Sequence, residues 1–377
     1  MTRTEYKCTE CEKIMYFEGI CYGCRQRKIR EEYQAMPEAS IPAKIDAIIA
    51  AMDNDFYKKD EYNDFFGLLA YRGISTENIA KAAVKAEVYY PWEMYRDATP
   101  EVRASLIGLL MQPECPQANH ILQCLAIAGG EDVLAAFVEL EKHPKPWTKK
   151  LYVPLSVYAQ SGGWTFDENG KRSKLNYDKC YCALPVSDGR PLSGALQVGA
   201  KADTALLAAT PREDVCHHCG TNLVDILTLN GKDERLEFLK FSGTVKVPIC
   251  PLCATMCERT LVRYTPDGES TMELVGPFGD GGKMPDSEYA AMTSKTFALG
   301  KRPEPLFFAH GNDEVVTIGG FANWVQDSQY DACPDCGKIM KYFASVPWGA
   351  LSDYSEGTLY LEKCHGCRVI SAFHQQT

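Results

Sequence analysis

The chain has 377 residues, 45% hydrophobic and 11% aromatic, and 40 Lys and Arg against 50 Asp and Glu leave a formal net charge of −10. That is enough apolar material for two or three cores, whereas the absence of any apolar run of about 18 residues excludes a membrane-spanning helix. The opening MTRTEYKCTEC has no apolar signal core, so a cytoplasmic location is expected; thiols stay reduced there, and the 17 cysteines point to metal rather than disulfides.

The first predicted element, residues 1–30, is a zinc ribbon. Cys8, Cys11, Cys21 and Cys24 read CxxC-x9-CxxC, and four thiolates are the number a closed tetrahedral zinc site needs. A thioredoxin-type redox pair is excluded because no βαβ pattern surrounds a lone CxxC. The ribbon holds seven Lys/Arg and four Asp/Glu, net +3, and ends in the basic run RQRKIR, Arg25 to Arg30. That run reads as a solvated helix start. Contact with nucleic acid is the alternative, and the acidic remainder of the chain, which repels phosphate, argues against it.

Residues 31–146 form an acidic helical domain with ten Lys/Arg and nineteen Asp/Glu, net −9. In IPAKIDAIIAAMDN the apolar residues recur at helical spacing, and DEYNDFFGLLAYRG ends in a glycine stop. Thr99 is a predicted N-cap with Pro100 at the first helical position. QANHILQCLAIAGGEDVLAAFVELEKH reads as two helices broken at Gly129-Gly130, a HEAT-like hairpin. Cys115, Cys124 and His120 are read as core residues of these helices.

Residues 147–377 read as a mostly β, internally duplicated domain, net −4. FDENGKR, NGKDE and TPDGES are hairpin signals between apolar runs, and ALQVGAKADTALLAATPRED reads as a loose connector. Cys180 and Cys182 form a CxC whose side chains share one face of a strand. Cys216, Cys219, Cys250 and Cys253 read CxxC-x30-CxxC, and Cys333, Cys336, Cys364 and Cys367 read CxxC-x27-CxxC. Each set begins CxxCG, where glycine supplies a positive φ, and ends Gly-Thr-apolar-x-apolar-x-x-CxxC, as GTVKVPICPLC and GTLYLEKCHGC. Val245/Val247 and Leu359/Leu361 place apolar side chains on one face of a strand that runs into the second pair. The metal then clips a strand to a distant turn, a structural task. Cys257, His217 and His218 are the competing ligands at the second site, and four thiolates are preferred. The whole is α+β and multidomain, with three structural Zn2+ ions.

No GxSxG, P-loop, GxGxxG in a strand-to-helix setting or HExxH occurs, and FGDGG at 278–282 lacks the Lys-Ser/Thr of a phosphate loop. No catalytic residue is assigned. TIGGFANWVQDSQYDACPDCGKIMKYFASVPW, followed by GTLYLEKCHGCRVISAFHQQT, resembles the C-terminal signature of the YwqG-like family of uncharacterised bacterial proteins. The matching positions are Gly319, Gly320, Trp324, Gln326, Cys333, Cys336, Phe373 and Gln375, and the clear match covers 305–377. The family usually lacks the ribbon and the helical domain. Its members often neighbour polymorphic-toxin genes, so the resemblance implies an immunity role; no enzyme activity is established for the family, and none is carried over.

The expected function is therefore a non-catalytic, monomeric immunity protein that occludes a toxin domain encoded nearby, without nucleic acid or membrane. A zinc-ribbon adaptor on nucleic acid or a transcription or translation complex is the alternative, and an unrecognised enzyme on the β domain the weaker one. Asp53–Asp64, DNDFYKKDEYND, and residues 89–95, YYPWEMY, are interface candidates, the second read first as core.

Overall fold

The computed structural model describes residues 4–11, 14–186, 205–277, 279, 282–311, 314–352 and 356–376. The chain divides into two compact units, one formed by Met1–Ala35, Tyr177–Asp327 and Asp331–Thr377, the other by Met36–Asn176 with Ser328–Tyr330. The fold class is mixed, a helical part followed by a β-rich part.

The helical unit contains α2 (Ile41–Ala50), α3 (Asp60–Arg72), α4 (Glu77–Lys85), α5 (Pro100–Leu110), α6 (Ala118–Ala128), α7 (Glu131–Lys142) and α8 (Leu155–Ser161), preceded in the chain by α1 (Tyr22–Ala35) of the other unit. The caps follow from the residues present. Thr99 accepts a bond from the Val102 N–H at 3.4 Å, so it satisfies one of the donors the first turn of α5 leaves open. Gly129 and Gly130 adopt φ of 61° and 105° and separate α6 from α7, as the paired glycines predict. Cys115 and Cys124 are buried. His120, by contrast, is exposed: it lies on the outer face of α6, and the core positions of that helix are filled by Ile121, Leu122, Cys124 and Leu125.

The division into 1–30, 31–146 and 147–377 differs from the two units. Residues 147–176 fold with the helices because their aromatics are anchored there. Trp147 Nε1 donates to the Leu110 and Gln112 carbonyls, both at 3.2 Å. Trp164 Nε1 donates to the Ala126 carbonyl at 2.8 Å. The FDENGKR turn does join a hairpin, β3 (Trp164–Phe166) with β4 (Arg172–Lys174).

The β-rich unit opens with the small hairpin β1 (Tyr6–Lys7) and β2 (Ile14–Met15), followed by α1. Its main sheet has eight antiparallel strands in the order β10-β9-β15-β14-β13-β12-β5-β11. They are β5 (Cys180–Pro185), β9 (Arg259–Tyr264), β10 (Ser270–Val275), β11 (Phe297–Leu299), β12 (Val316–Gly319), β13 (Lys341–Pro347), β14 (Thr358–Lys363) and β15 (Val369–Gln375). A second sheet joins β6 (Leu206–Val215), β7 (Asn222–Asn230) and β8 (Thr244–Ile249), also antiparallel. The predicted loose connector is in part β6; its residues 195–204 lie outside the described residues. Leu206, Ala208 and Ala209 are buried in the core, so the small residues serve packing rather than flexibility.

One core cluster takes side chains from both sheets, including Leu227, Val245 and Val247 from the small one and Ile318, Leu359, Leu361 and Ile370 from the large one. Full burial of such a side chain contributes about 1.5–3 kcal/mol. Alternation along β8 and β14 is thus the reason the two sheets face each other. TPDGES forms the tight β9–β10 turn, pairing Tyr264 with Ser270. NGKDE instead opens a longer β7–β8 connection that contains a 3-10 turn at Glu237–Leu239.

Candidate metal centres

The twelve cysteines of the three paired sets converge as three groups: Cys8, Cys11, Cys21 and Cys24; Cys216, Cys219, Cys250 and Cys253; Cys333, Cys336, Cys364 and Cys367. Within each group all four sulfurs lie within 4.8 Å of one another. All are free thiols. Sulfur separations of 3.6 Å for Cys11–Cys21, 3.8 Å for Cys216–Cys253, 3.5 Å for Cys219–Cys250 and 3.7 Å for Cys336–Cys364 rule out bonded sulfurs. They match the roughly 3.8 Å edge of a tetrahedron built on metal–sulfur bonds of about 2.3 Å. The donor set and its spacing therefore fit one tetrahedral metal ion per group.

The second and third groups are assembled the same way from the local sequence. In the second, the Cys216 N–H donates to the Thr221 carbonyl and the Gly220 N–H to the Cys216 carbonyl, both at 2.8 Å. In the third, the Cys333 N–H donates to Lys338 and the Gly337 N–H to Cys333, again both at 2.8 Å. Gly220 and Gly337 close these turns with φ of 72° and 70°, the left-handed region the CxxCG reading requires. The partner pairs enter at the ends of β8 and β14, directly after Ile249 and Lys363. Knuckle, strand, strand, knuckle is the repeated order in both halves, once in each sheet. The first group instead combines the β1–β2 hairpin with Cys24 on the first turn of α1.

The electrostatics also call for a cation. Burial raises the Cys8 thiol pKa, but N–H donors from Cys21, Glu10 and Cys11 outweigh it and hold the thiol near 6. Burial acts upward on Cys219 too, and hydrogen bonds from Thr221 and Cys250 bring it down to about 7. The Lys338 N–H lowers Cys336. In the same groups Cys24 and Cys253 are raised, by burial first and then by their neighbouring thiols. Opposite shifts within one group are what thiols sharing a site produce, and a bound cation favours the thiolate form of its ligands.

Cys257 packs against the second group but is not one of its four converging sulfurs; its Sγ lies 3.9 Å from Thr260 Oγ1. His217 and His218 are exposed, and His218 Nε2 lies 3.2 Å from the Gly279 carbonyl. Cys180 and Cys182 are buried on one face of β5, with Cys182 Sγ 3.7 Å from a Glu304 carboxylate oxygen. Phe278, Asp280 and Gly281 of FGDGG lie outside the described residues.

The basic run is largely engaged. Lys28 pairs with Glu10 at 2.8 Å and Arg27 approaches the same carboxylate at 3.9 Å. Arg30 is buried, and its charge acts on Cys182 and Glu304. Sequence reasoning missed this, and missed that Glu362 and Lys363 are buried at the end of β14. The Asp331 N–H donates to Glu362 Oε2 at 2.8 Å, and Lys363 Nζ donates to the Leu239 carbonyl at 2.6 Å. Adjacent charged residues before a knuckle read as solvent-facing, and only the segments packed over them show otherwise.

Four further positions of the C-terminal signature, Trp324, Gln326, Phe373 and Gln375, join one segment to β15. Trp324 stacks on Phe373, with centroids 6.1 Å apart and planes at 11°, and lies 4.6 Å from the Tyr360 ring. The Gln326 N–H donates to Gln375 Oε1, and Gln375 Nε2 to the Asp327 carbonyl, both at 3.0 Å. Gly319 ends β12 opposite Cys180. These residues bind the 324–327 segment to β15.

Among the described residues no helix is long and apolar enough to cross a membrane. No family model matches the chain, and no solved structure matches it. It is similar to a curated protein of Salmonella typhimurium strain LT2 described as "Uncharacterized protein YpfL", with 24% identity over 317 residues, 82% of this chain and 71% of that one.

Proposed function

We propose that the three four-cysteine groups hold zinc as closed structural centres, and that the scaffold they brace binds and occludes one protein partner without turning over a substrate. The observation that carries the metal reading is that four cysteine sulfurs fill all four positions of each group. A catalytic zinc keeps a position open for water or substrate; these sets leave none. What the ion supplies is a cross-link between segments about thirty residues apart in the two larger sites.

The partner reading rests on the net −9 of residues 31–146, which favours encounter with a basic protein. It is further supported by the resemblance of residues 305–377 to the YwqG-like family, whose members often neighbour toxin genes. The partner class we assign is a bacterial toxin domain, with this chain as its immunity protein. Co-expression tests it. A toxin encoded next to this gene should kill cells alone and be tolerated with this protein, through a recoverable stoichiometric complex. Protection at strongly sub-stoichiometric levels with no complex would instead indicate an enzyme that reverses the damage.

A further inference from the structure

The segments 53–64 and 89–95 meet in the helical unit. Tyr62 of α3 and Tyr90 stack with centroids 6.4 Å apart and planes at 26°, and their hydroxyls lie 3.3 Å apart. Phe66, one turn along α3, is 5.0 Å from Tyr62, and Trp92 is 5.5 Å from Tyr90. The result is a continuous strip, Trp92–Tyr90–Tyr62–Phe66. Tyr90 is 42% exposed, the other three rings are half-buried, and the strip is anchored by fully buried Phe56, 6.0 Å from Tyr62. YYPWEMY is thus divided: Met94 and Tyr95 are core, whereas Tyr90 is exposed and Trp92 half-buried.

The strip lies in a negative field. Asp60 and Glu61 occupy the first turn of α3 beside Tyr62. Burial and then the Tyr90 hydroxyl raise the Tyr62 phenol pKa, and the buried Glu93 adds to this from within the unit. The nearby lysines are neutralised internally: Lys44 pairs with Asp64 at 2.7 Å, Lys58 with Asp55 at 2.7 Å and Lys59 with Asp53 at 2.5 Å. What reaches the surface is the Tyr90 ring, with the half-buried rings of Tyr62, Phe66 and Trp92 beside it and the carboxylates of Asp60 and Glu61 on the adjoining turn of α3.

We propose that this strip is the docking surface for an arginine-rich segment of a protein partner. A guanidinium lies flat on tyrosine and tryptophan faces while its edge pairs with carboxylates, a combination an ammonium reproduces poorly. The same field repels nucleic-acid phosphates and anionic lipid. The proposal rests on the reading of the chain as a binding protein and adds the surface and the partner chemistry.

The test uses the full-length, metal-loaded protein and two labelled nine-residue peptides, one alternating Arg and Gly, the other Lys and Gly, followed by fluorescence anisotropy. The Arg peptide should bind several-fold tighter than the Lys peptide, and more weakly as salt rises. Tyr90→Ser should weaken it roughly tenfold. Tyr152→Ser, at a residue 86% exposed elsewhere, should leave it unchanged. Equal affinity for the two peptides, no binding, or an unaffected Tyr90→Ser variant would overturn the proposal. So would a dimer that Tyr90→Ser dissolves, since the strip would then be a self-interface. A toxin complex that forms and survives Tyr90→Ser would sink this surface while leaving the binding function intact; Arg-peptide binding with no toxin protection would do the reverse.

Discussion

Single residues set the geometry of the knuckles. A Cβ on Gly337 would meet nothing within 4 Å, so Gly337→Ala isolates the cost of the left-handed backbone, about 1–2 kcal/mol. At Gly243 (φ 74°) a Cβ would sit 2.0 Å from the Pro266 carbonyl oxygen, so Gly243→Ala should destabilise by clearly more. Denaturant titration of both variants checks the order, and equal losses would contradict it. Lys363 offers a different probe. Burial, reinforced by Lys341, lowers its pKa from 10.5 to about 8. Between those values the unfolded chain binds more protons than the folded one, so this residue's contribution to stability rises with pH from about 8 to 10.5 and is constant below. The stability of wild type relative to Lys363→Met should therefore improve between pH 7.5 and pH 10; a difference that does not move would refute the assignment.

At the scale of elements, the unit that matters is a hairpin closed at its base by metal. β13 and β14 pair from Lys341↔Lys363 to Pro347↔Thr358, with a bulge between Tyr342 and Ala344, and the third cysteine group sits at the Lys341–Lys363 end. Cys364→Ser should leave three donors, loosen that end first, and lower the melting temperature. Hydrogen exchange should show faster amides in β13, β14 and β15, with little change in α5 to α7. If Cys364→Ser keeps wild-type stability but loses partner binding, the metal acts in recognition and the structural reading fails.

For the whole molecule, all three cysteine groups belong to the β-rich unit and none to residues 36–176. Elemental analysis should find close to three zinc per chain, and a strong chelator should unfold the β-rich unit while the helical unit keeps its protection against exchange. Cooperative loss of both would show that the helices lean on the metal as well. Because ligand thiolates must be formed, acidification should release metal together with proton uptake. Partner association should slow as salt rises, since the Debye length falls from about 10 Å at 0.1 M to about 3 Å at 1 M, whereas dissociation should change far less.

Features that depend on near neighbours are legible in the order of the residues. The CxxC spacings name the three ligand groups, CxxCG names the left-handed turn, alternation in Val245/Val247 and Leu359/Leu361 names the buried strand faces, and Thr99 and Gly129-Gly130 bound their helices. Each is a property of residues a few positions apart, governed by turn sterics, capping and side-chain period. Tertiary structure alone decided the rest. Arg30, Glu362 and Lys363 are buried because distant segments cover them, and Trp147 and Trp164 carry their stretch to the helices because carbonyls at 110, 112 and 126 accept their indole N–H groups. Tyr62 and Tyr90 become one surface only when α3 packs beside the 90–92 turn. Burial of a charge and the joining of two rings are set by what arrives from elsewhere in the chain, and no local pattern records that.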